Sequence, residues 1–118
     1  MKFFHATENE ITDIAATRDI CFATCPEEAR PYAPDGTVYE VAADDMAIAD
    51  EDDIQAAAEI FDWYDPTYWV YELVDEEEVR EELAARGFEA CEYADMGPNN
   101  AYEHQTVRVW ETAKLEIV

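Results

Sequence analysis

His5 stands in an otherwise apolar stretch, Phe3-Phe4-His5-Ala6, and Thr7 follows it at once. A lone histidine there is either an ordinary core residue or, with Thr7, a hydrogen-bonding pair aimed into a cleft from the end of a short strand. Tyr32 and Tyr39 flank a Pro34-Asp35-Gly36 turn, where their rings either pack against the fold or stack on a planar ligand. Glu103 follows a segment rich in Gly, Pro and Asn and precedes a strand, a place from which a carboxylate reaches a pocket edge. Other chemistries lack their parts. His5, His104 and the Cys21/Cys25 pair do not make a closed metal-ligand set, so no metal is expected. A Cys–His nucleophile would need a third, orienting group, and none can be pointed to. Three glycines, Gly36, Gly87 and Gly97, leave no phosphate-cradling loop.

The elements that must hold these residues can be read from pattern. Lys2 to Ala6 reads as a first strand, and Glu8 to Ala16 as a short amphipathic helix with Ile11, Ile14 and Ala15 on one face. Ile20 to Thr24 is a compact apolar strand. Thr24-Cys25-Pro26-Glu27 reads as a capping box with proline in the first turn, opening a helix through about Tyr32. Thr37 to Ala43 alternates as a strand does. Asp50 to Phe61 predicts a helix with acids in its first turn and Ile54, Ala57, Ala58 and Phe61 facing the core. Tyr68 to Tyr71 is ambiguous between strand and helix. Asp75 to Arg86 predicts one helix, with Val79, Leu83 and Ala84 inward and Gly87 as its stop. Phe88 to Ala94 is a strand and Asp95 to Ala101 a loop. Gln105 to Trp110 and Lys114 to Val118 are terminal strands. Without regular βαβ alternation the class is α+β, and 118 residues make a single domain, 1–118.

Charge sets the next bounds. Thirty Asp and Glu against seven Lys and Arg give a formal charge of −23. With two lysines in the chain, counterion release on a phosphate backbone is excluded, and so is an anionic membrane surface. No run of apolar residues is long enough to span a bilayer. The start lacks a secretory pattern, and three cysteines are too few and too odd in number for a disulfide framework. Reduced thiols in a cytoplasm are the expectation. The excess charge is local: residues 44–82 carry sixteen acids and one base, a net of −15, whereas 1–43 carry −5 and 83–118 carry −3. Salt adaptation or plain solvation accounts for such a face. So does imitation of nucleic acid, since Asp75, Glu76, Glu77, Glu78, Glu81 and Glu82 on a helix would form a line of carboxylates.

Taken in order, these pieces resemble a small ADP-ribosyltransferase fold. Its members open with a strand reading roughly F-H-x-T, here Phe4-His5-Ala6-Thr7, and continue to a strand resembling F-F-A-S, here Cys21-Phe22-Ala23-Thr24. A helix with an alanine and tyrosine spaced like Ala29 and Tyr32 follows, then a strand resembling V-Y-E-V, here Val38-Tyr39-Glu40-Val41. The last third fits through Gly87-Phe88, a polar loop, and an acid ahead of Thr106-Val107-Arg108-Val109-Trp110. The match covers roughly 1–43 and 83–118, the segments of mild charge, and is similar in particular to compact phage enzymes that ADP-ribosylate a CRISPR complex. The resemblance implies split β-sheets with short helices around an acidic helical middle segment, and NAD bound between the half-sheets. It implies that His5 hydrogen-bonds the ligand, with Thr7, Thr24 and Tyr39 beside it, that Tyr32 stacks on the nicotinamide, and that Glu103 polarises the ribose and stabilises the transition state. Gln105-Thr106 stand where the family commonly carries its acid, with Glu103 ahead of them.

Two functions follow as expectations. One is an NAD-dependent protein ADP-ribosyltransferase of phage type that inactivates a host defence protein in the host cytoplasm, an anti-CRISPR activity. The other is a non-catalytic DNA mimic whose acids at 75–82 occupy the basic groove of a CRISPR complex, nuclease or repressor. Either way the partner is a basic host protein of the nucleic-acid machinery.

Overall fold

The computed structural model describes residues 1–100 and 102–118, so the end of the expected loop at Ala101 lies outside the described residues. Seven strands form one sheet: β1 (Lys2–Thr7), β2 (Ile20–Ala23), β3 (Thr37–Ala42), β4 (Ile48–Ala49), β5 (Ala90–Met96), β6 (Glu103–Val109) and β7 (Glu116–Ile117). Their order is β4-β5-β6-β2-β1-β3-β7, antiparallel except for the parallel β4–β5 pair. Four α-helices accompany them: α1 (Pro26–Ala29), α2 (Glu51–Ala58), α3 (Val70–Asp75) and α4 (Glu77–Ala85). The α+β class holds. Among the described residues no helix is long and apolar enough to cross a membrane.

The sheet is unevenly stitched. β1 and β3 register over six residue pairs and β5 and β6 over seven, but β1 meets β2 at a single pair, Phe4 with Ala23. The single sheet is therefore most weakly paired between β1 and β2, where one register pair joins its two sides. Three apolar clusters follow from this layout. Phe3, Phe22, Val41, Val107 and Val109 build the first, closed by Ile14 and Leu115. Ile54, Leu73, Val74, Val79 and Leu83 pack with Cys91 and Tyr93 in the second, so α2, α3 and α4 roof the β5 end of the sheet. Alanines alone, Ala6, Ala23, Ala29 and Ala33, form the buried part of the third, which straddles the β1–β2 seam under α1.

Several sequence expectations are corrected. Glu8 to Ala16 is not a helix. The Thr7 hydroxyl accepts the Asn9 amide and the Asp13 carboxylate accepts that of Ala15, and only Ile14–Ala16 completes a 3-10 turn. The capping box at Thr24 does not form. Cys25 holds the N-cap position without a side-chain bond, Pro26 opens α1, and the chain tightens to a 3-10 turn over Arg30–Tyr32, where Pro31 has no amide to extend the ladder. Residues 75–86 are not one helix. Glu76 is extended (φ −78°, ψ 121°) between α3 and α4, and the Arg80 guanidinium donates to the Val74 carbonyl at 2.7 Å, satisfying the end of α3. The ambiguous aromatic stretch resolves as the start of α3. β5 runs two residues later than expected, β6 begins two earlier, and Lys114 belongs to a 3-10 turn, Thr112–Lys114, ahead of β7. β4, only two residues long, had no periodicity to betray it.

Other expectations hold more closely. The helix expected over Asp50 to Phe61 forms as α2 but stops at Ala58, and Asp50 is its cap, through a reciprocal box with Asp53 at 2.9 and 3.0 Å. Gly87 ends α4 at φ +96°, with the Phe88 amide bonded to the Leu83 carbonyl and the Gly87 amide to that of Ala84.

Candidate functional site

Where β1 and β2 part, a cleft of about 200 Å³ opens, lined by Phe4, His5 and Ala6 of β1 and by Cys21, Phe22 and Ala23 of β2. Ala29, Tyr32, Asp95, His104 and Thr106 complete the wall. The floor is apolar, and small alanines leave the space. His5 is half-buried, its ring edge-on to Phe22 at 5.9 Å. Its Nδ1–H donates to the Cys21 carbonyl at 2.8 Å, since a carbonyl can only accept. The His5 side chain thus satisfies a backbone group of the neighbouring strand and helps hold the seam. In the neutral ring Nε2 is left as an acceptor.

A second histidine is fixed more tightly. His104 is buried, and its Nδ1–H donates to the Gln105 carbonyl at 3.1 Å. Nε2 then accepts the Tyr32 hydroxyl proton at 2.5 Å. The imidazole sits between two phenol rings, Tyr32 at 5.6 Å and Tyr102 at 5.5 Å. Tyr102 is itself anchored by donating to the Glu28 carbonyl at 2.9 Å, and a Cβ at Gly97 would meet its ring at 2.5 Å, so only glycine admits it there. Burial of the hydroxyl, helped by the Asp95 charge, pushes the Tyr32 phenol up to about 12. Tyr32 therefore remains a protonated donor throughout the neutral range, not a nucleophile. The ring is 49% exposed and forms the rim of the cleft.

The expected site residues divide. His5 and Tyr32, 27 positions apart in the chain, meet in this cleft. Thr7, Thr24, Tyr39 and Glu103 lie outside its lining. Thr7 closes the turn after β1, Thr24 is exposed beyond β2, and the Tyr39 hydroxyl accepts the Ile11 amide at 3.1 Å while its ring packs on the first cluster. Glu103 is exposed. Strand alternation sends it to the face opposite His104 and Thr106, and the carboxylate that does line the cleft is Asp95. His104 and Thr106 were missed because the expected strand began at Gln105. Carried back to Glu103, the alternation would have put both on one face. Among the described residues no three His, Cys, Asp or Glu side chains gather as a metal would require.

The acidic residues proposed for a partner are placed on α3, α4 and the bend between them. Asp75 pairs with Arg108 at 3.3 Å, Glu82 with Arg86 at 3.3 Å, and Glu78 accepts the Trp63 indole N–H at 3.0 Å. Glu76, Glu77 and Glu81 are exposed and make no ion pair among the described residues.

No family model matches the chain, and comparison with curated proteins and with solved structures finds no match.

Proposed function

We propose that the seam cleft takes the nicotinamide end of NAD and that the chain is an ADP-ribosyltransferase-like protein, directed at a host defence protein of the anti-CRISPR type. The observation that carries this reading is the convergence of His5 and Tyr32, the two residues its resemblance pairs, at the point where the sheet comes apart. The cleft suits a planar ring bearing an amide. It has an apolar floor, an imidazole acceptor on His5 and an aromatic edge on Tyr32. At about 200 Å³ it is smaller than the roughly 300–1,000 Å³ usual for drug-sized ligands, so it holds the ring and leaves the rest of the dinucleotide along the rim. NAD brings the glycosidic bond to be cleaved. His5 would orient the amide, and the carboxylate nearest the ring would be Asp95.

A thermal-shift titration with millimolar NAD tests this. A saturable rise in melting temperature that His5→Ala removes supports the reading. A flat curve for the parent protein ends it. If transfer to a protein substrate is then detected, comparing Asp95→Asn with Glu103→Gln separates the two carboxylates by position.

A second reading rests on a different surface. The uncommitted carboxylates Glu76, Glu77 and Glu81 stand in a segment of net charge −15, which favours docking to the basic groove of a nucleic-acid-binding protein. Its affinity would fall steeply with salt. Binding to such a protein that stays flat from low to high salt would rule it out.

A further inference from the structure

The acidic layer is not only charged. Between α2 and α3 the chain presents Trp63 and Tyr68, and with Glu72, Leu73, Glu76 and Glu78 they line a groove of about 280 Å³. We propose that this groove captures a cationic side chain, a lysine ammonium or arginine guanidinium, presented by a basic protein. The inference rests on the acidic-surface reading and is independent of the seam cleft.

The groove is built, not incidental. Phe61 stacks flat on Trp63, with centroids 5.6 Å apart and planes at 5°, and the Trp63 indole N–H is tied to Glu78 on α4 at 3.0 Å. Trp63 is therefore held from two sides. Tyr68 stands edge-on to it, 6.4 Å away at 63°, so the two rings make walls at an angle. Tyr68 is 44% exposed and its neighbour Trp69 68% exposed, stacked on Tyr71. Large aromatics left in water next to a formed pocket mark a contact surface better than they mark a core.

Charge selects the occupant. Glu72 is occupied in accepting the Trp69 amide at 3.2 Å and Glu78 in holding Trp63. The Glu76 carboxylate, at the bend between α3 and α4, has no hydrogen-bond or ion-pair partner among the described residues. Arg80, the one base of residues 44–82, turns away from the groove. It donates to the Val74 carbonyl and pairs with Asp19 at 3.4 Å. Among the described residues no Lys or Arg pairs with a carboxylate of the rim. A cation gains twice here, from the ring faces within about 6 Å and from the carboxylates around them, whereas an anion is repelled by both. A bare metal ion would want a shell of oxygens instead of aromatic walls.

The test uses the full chain and a labelled nine-residue peptide of alternating lysine and glycine, with its fully acetylated counterpart as control. The expected result is saturable binding of the lysine peptide and none of the acetylated one. Tyr68→Leu, which keeps the charge and alters an exposed ring, should weaken binding several-fold to about tenfold. Glu76→Gln should weaken it comparably, while Asp44→Asn, the same charge change outside the groove, should leave affinity within about twofold. Equal losses for Glu76→Gln and Asp44→Asn with none for Tyr68→Leu would overturn the groove and leave the acidic-surface reading standing. Absence of binding by the lysine peptide, or equal binding of its acetylated form, would overturn the proposal outright.

Discussion

The β1–β2 seam and the roofed β5 end of the sheet are both buried, but by different kinds of side chain. Alanines cover the seam, while Ile54, Leu73, Val74, Val79 and Leu83, each fully buried, fill the space beneath α2, α3 and α4. Small side chains leave room, and there the cleft opens. Branched aliphatics close the layer beneath the helices, and there the outer surface, its groove included, carries the charge. Each such residue contributes about 1.5–3 kcal/mol on burial, against about 1 kcal/mol or less for two like charges some 4 Å apart in water. The roof can therefore tolerate its carboxylates because the layer beneath is closed. The lesson is a division of labour: one half of the molecule keeps an apolar cleft within the sheet, the other an acidic groove outside a closed core.

Leu83→Ala attacks the closed half and should produce the largest effect, a loss of about 2–5 kcal/mol in one cooperative denaturant transition. Two separate transitions would break the comparison by showing that the halves unfold independently. Ala29→Leu attacks the open half from the other direction, filling the cleft that Ala29 lines. Overpacking should cost about 1–3 kcal/mol and abolish any NAD-induced thermal shift, with no change in binding of the lysine peptide. Tyr32→Phe removes one hydrogen bond to His104, worth about 1 kcal/mol, measurable by denaturant titration.

The smallest effect is expected from pH in the neutral range. Burial pushes the Cys91 thiol of the closed half up to about 12, and the Tyr32 phenol of the open half reaches about 12 as well. Both folded values lie above the ordinary ones, 9.0 and 10.0, so the stability they contribute is full below those values and is lost as pH rises toward 12. Stability should be level from pH 7 to 9 and decline above. Stability that stays level from pH 9 to 12 would contradict the burial of Cys91 and of the Tyr32 hydroxyl.

Much of the frame was legible because it rests on local pattern. β1, β2 and β3 are apolar or alternating runs, and α2 announces itself by the acids of its first turn and the inward spacing of Ile54, Ala57 and Ala58. The break at Glu76 was not, because four successive acids read equally well as one helix or as the start of a new one. What separates them is Arg80 reaching back to Val74. His5 and Tyr32 were visible as residue types, yet the cleft depends on a strand pair that meets once, which no spacing records. Asp95 and His104 face each other in a ladder of seven pairs, but the expected strands stopped at Ala94 and began at Gln105, so their common face was hidden.

The single rung between β1 and β2 also bears on motion. Six pairs bind β1 to β3 and four bind β2 to β6, so each plate is stiffer within itself than the joint between them. Across that joint run the His5–Cys21 bond, the Phe3–Phe22 and His5–Phe22 ring contacts, and contacts among alanines, whose dispersion attraction is small. Were the joint to open about Phe4 and Ala23, neither side of the sheet would lose its own ladder. Deuterium should enter the facing amides of β1 and β2 well before those of β5 and β6, and a ligand seated in the gap would slow that exchange by acting as the missing rungs.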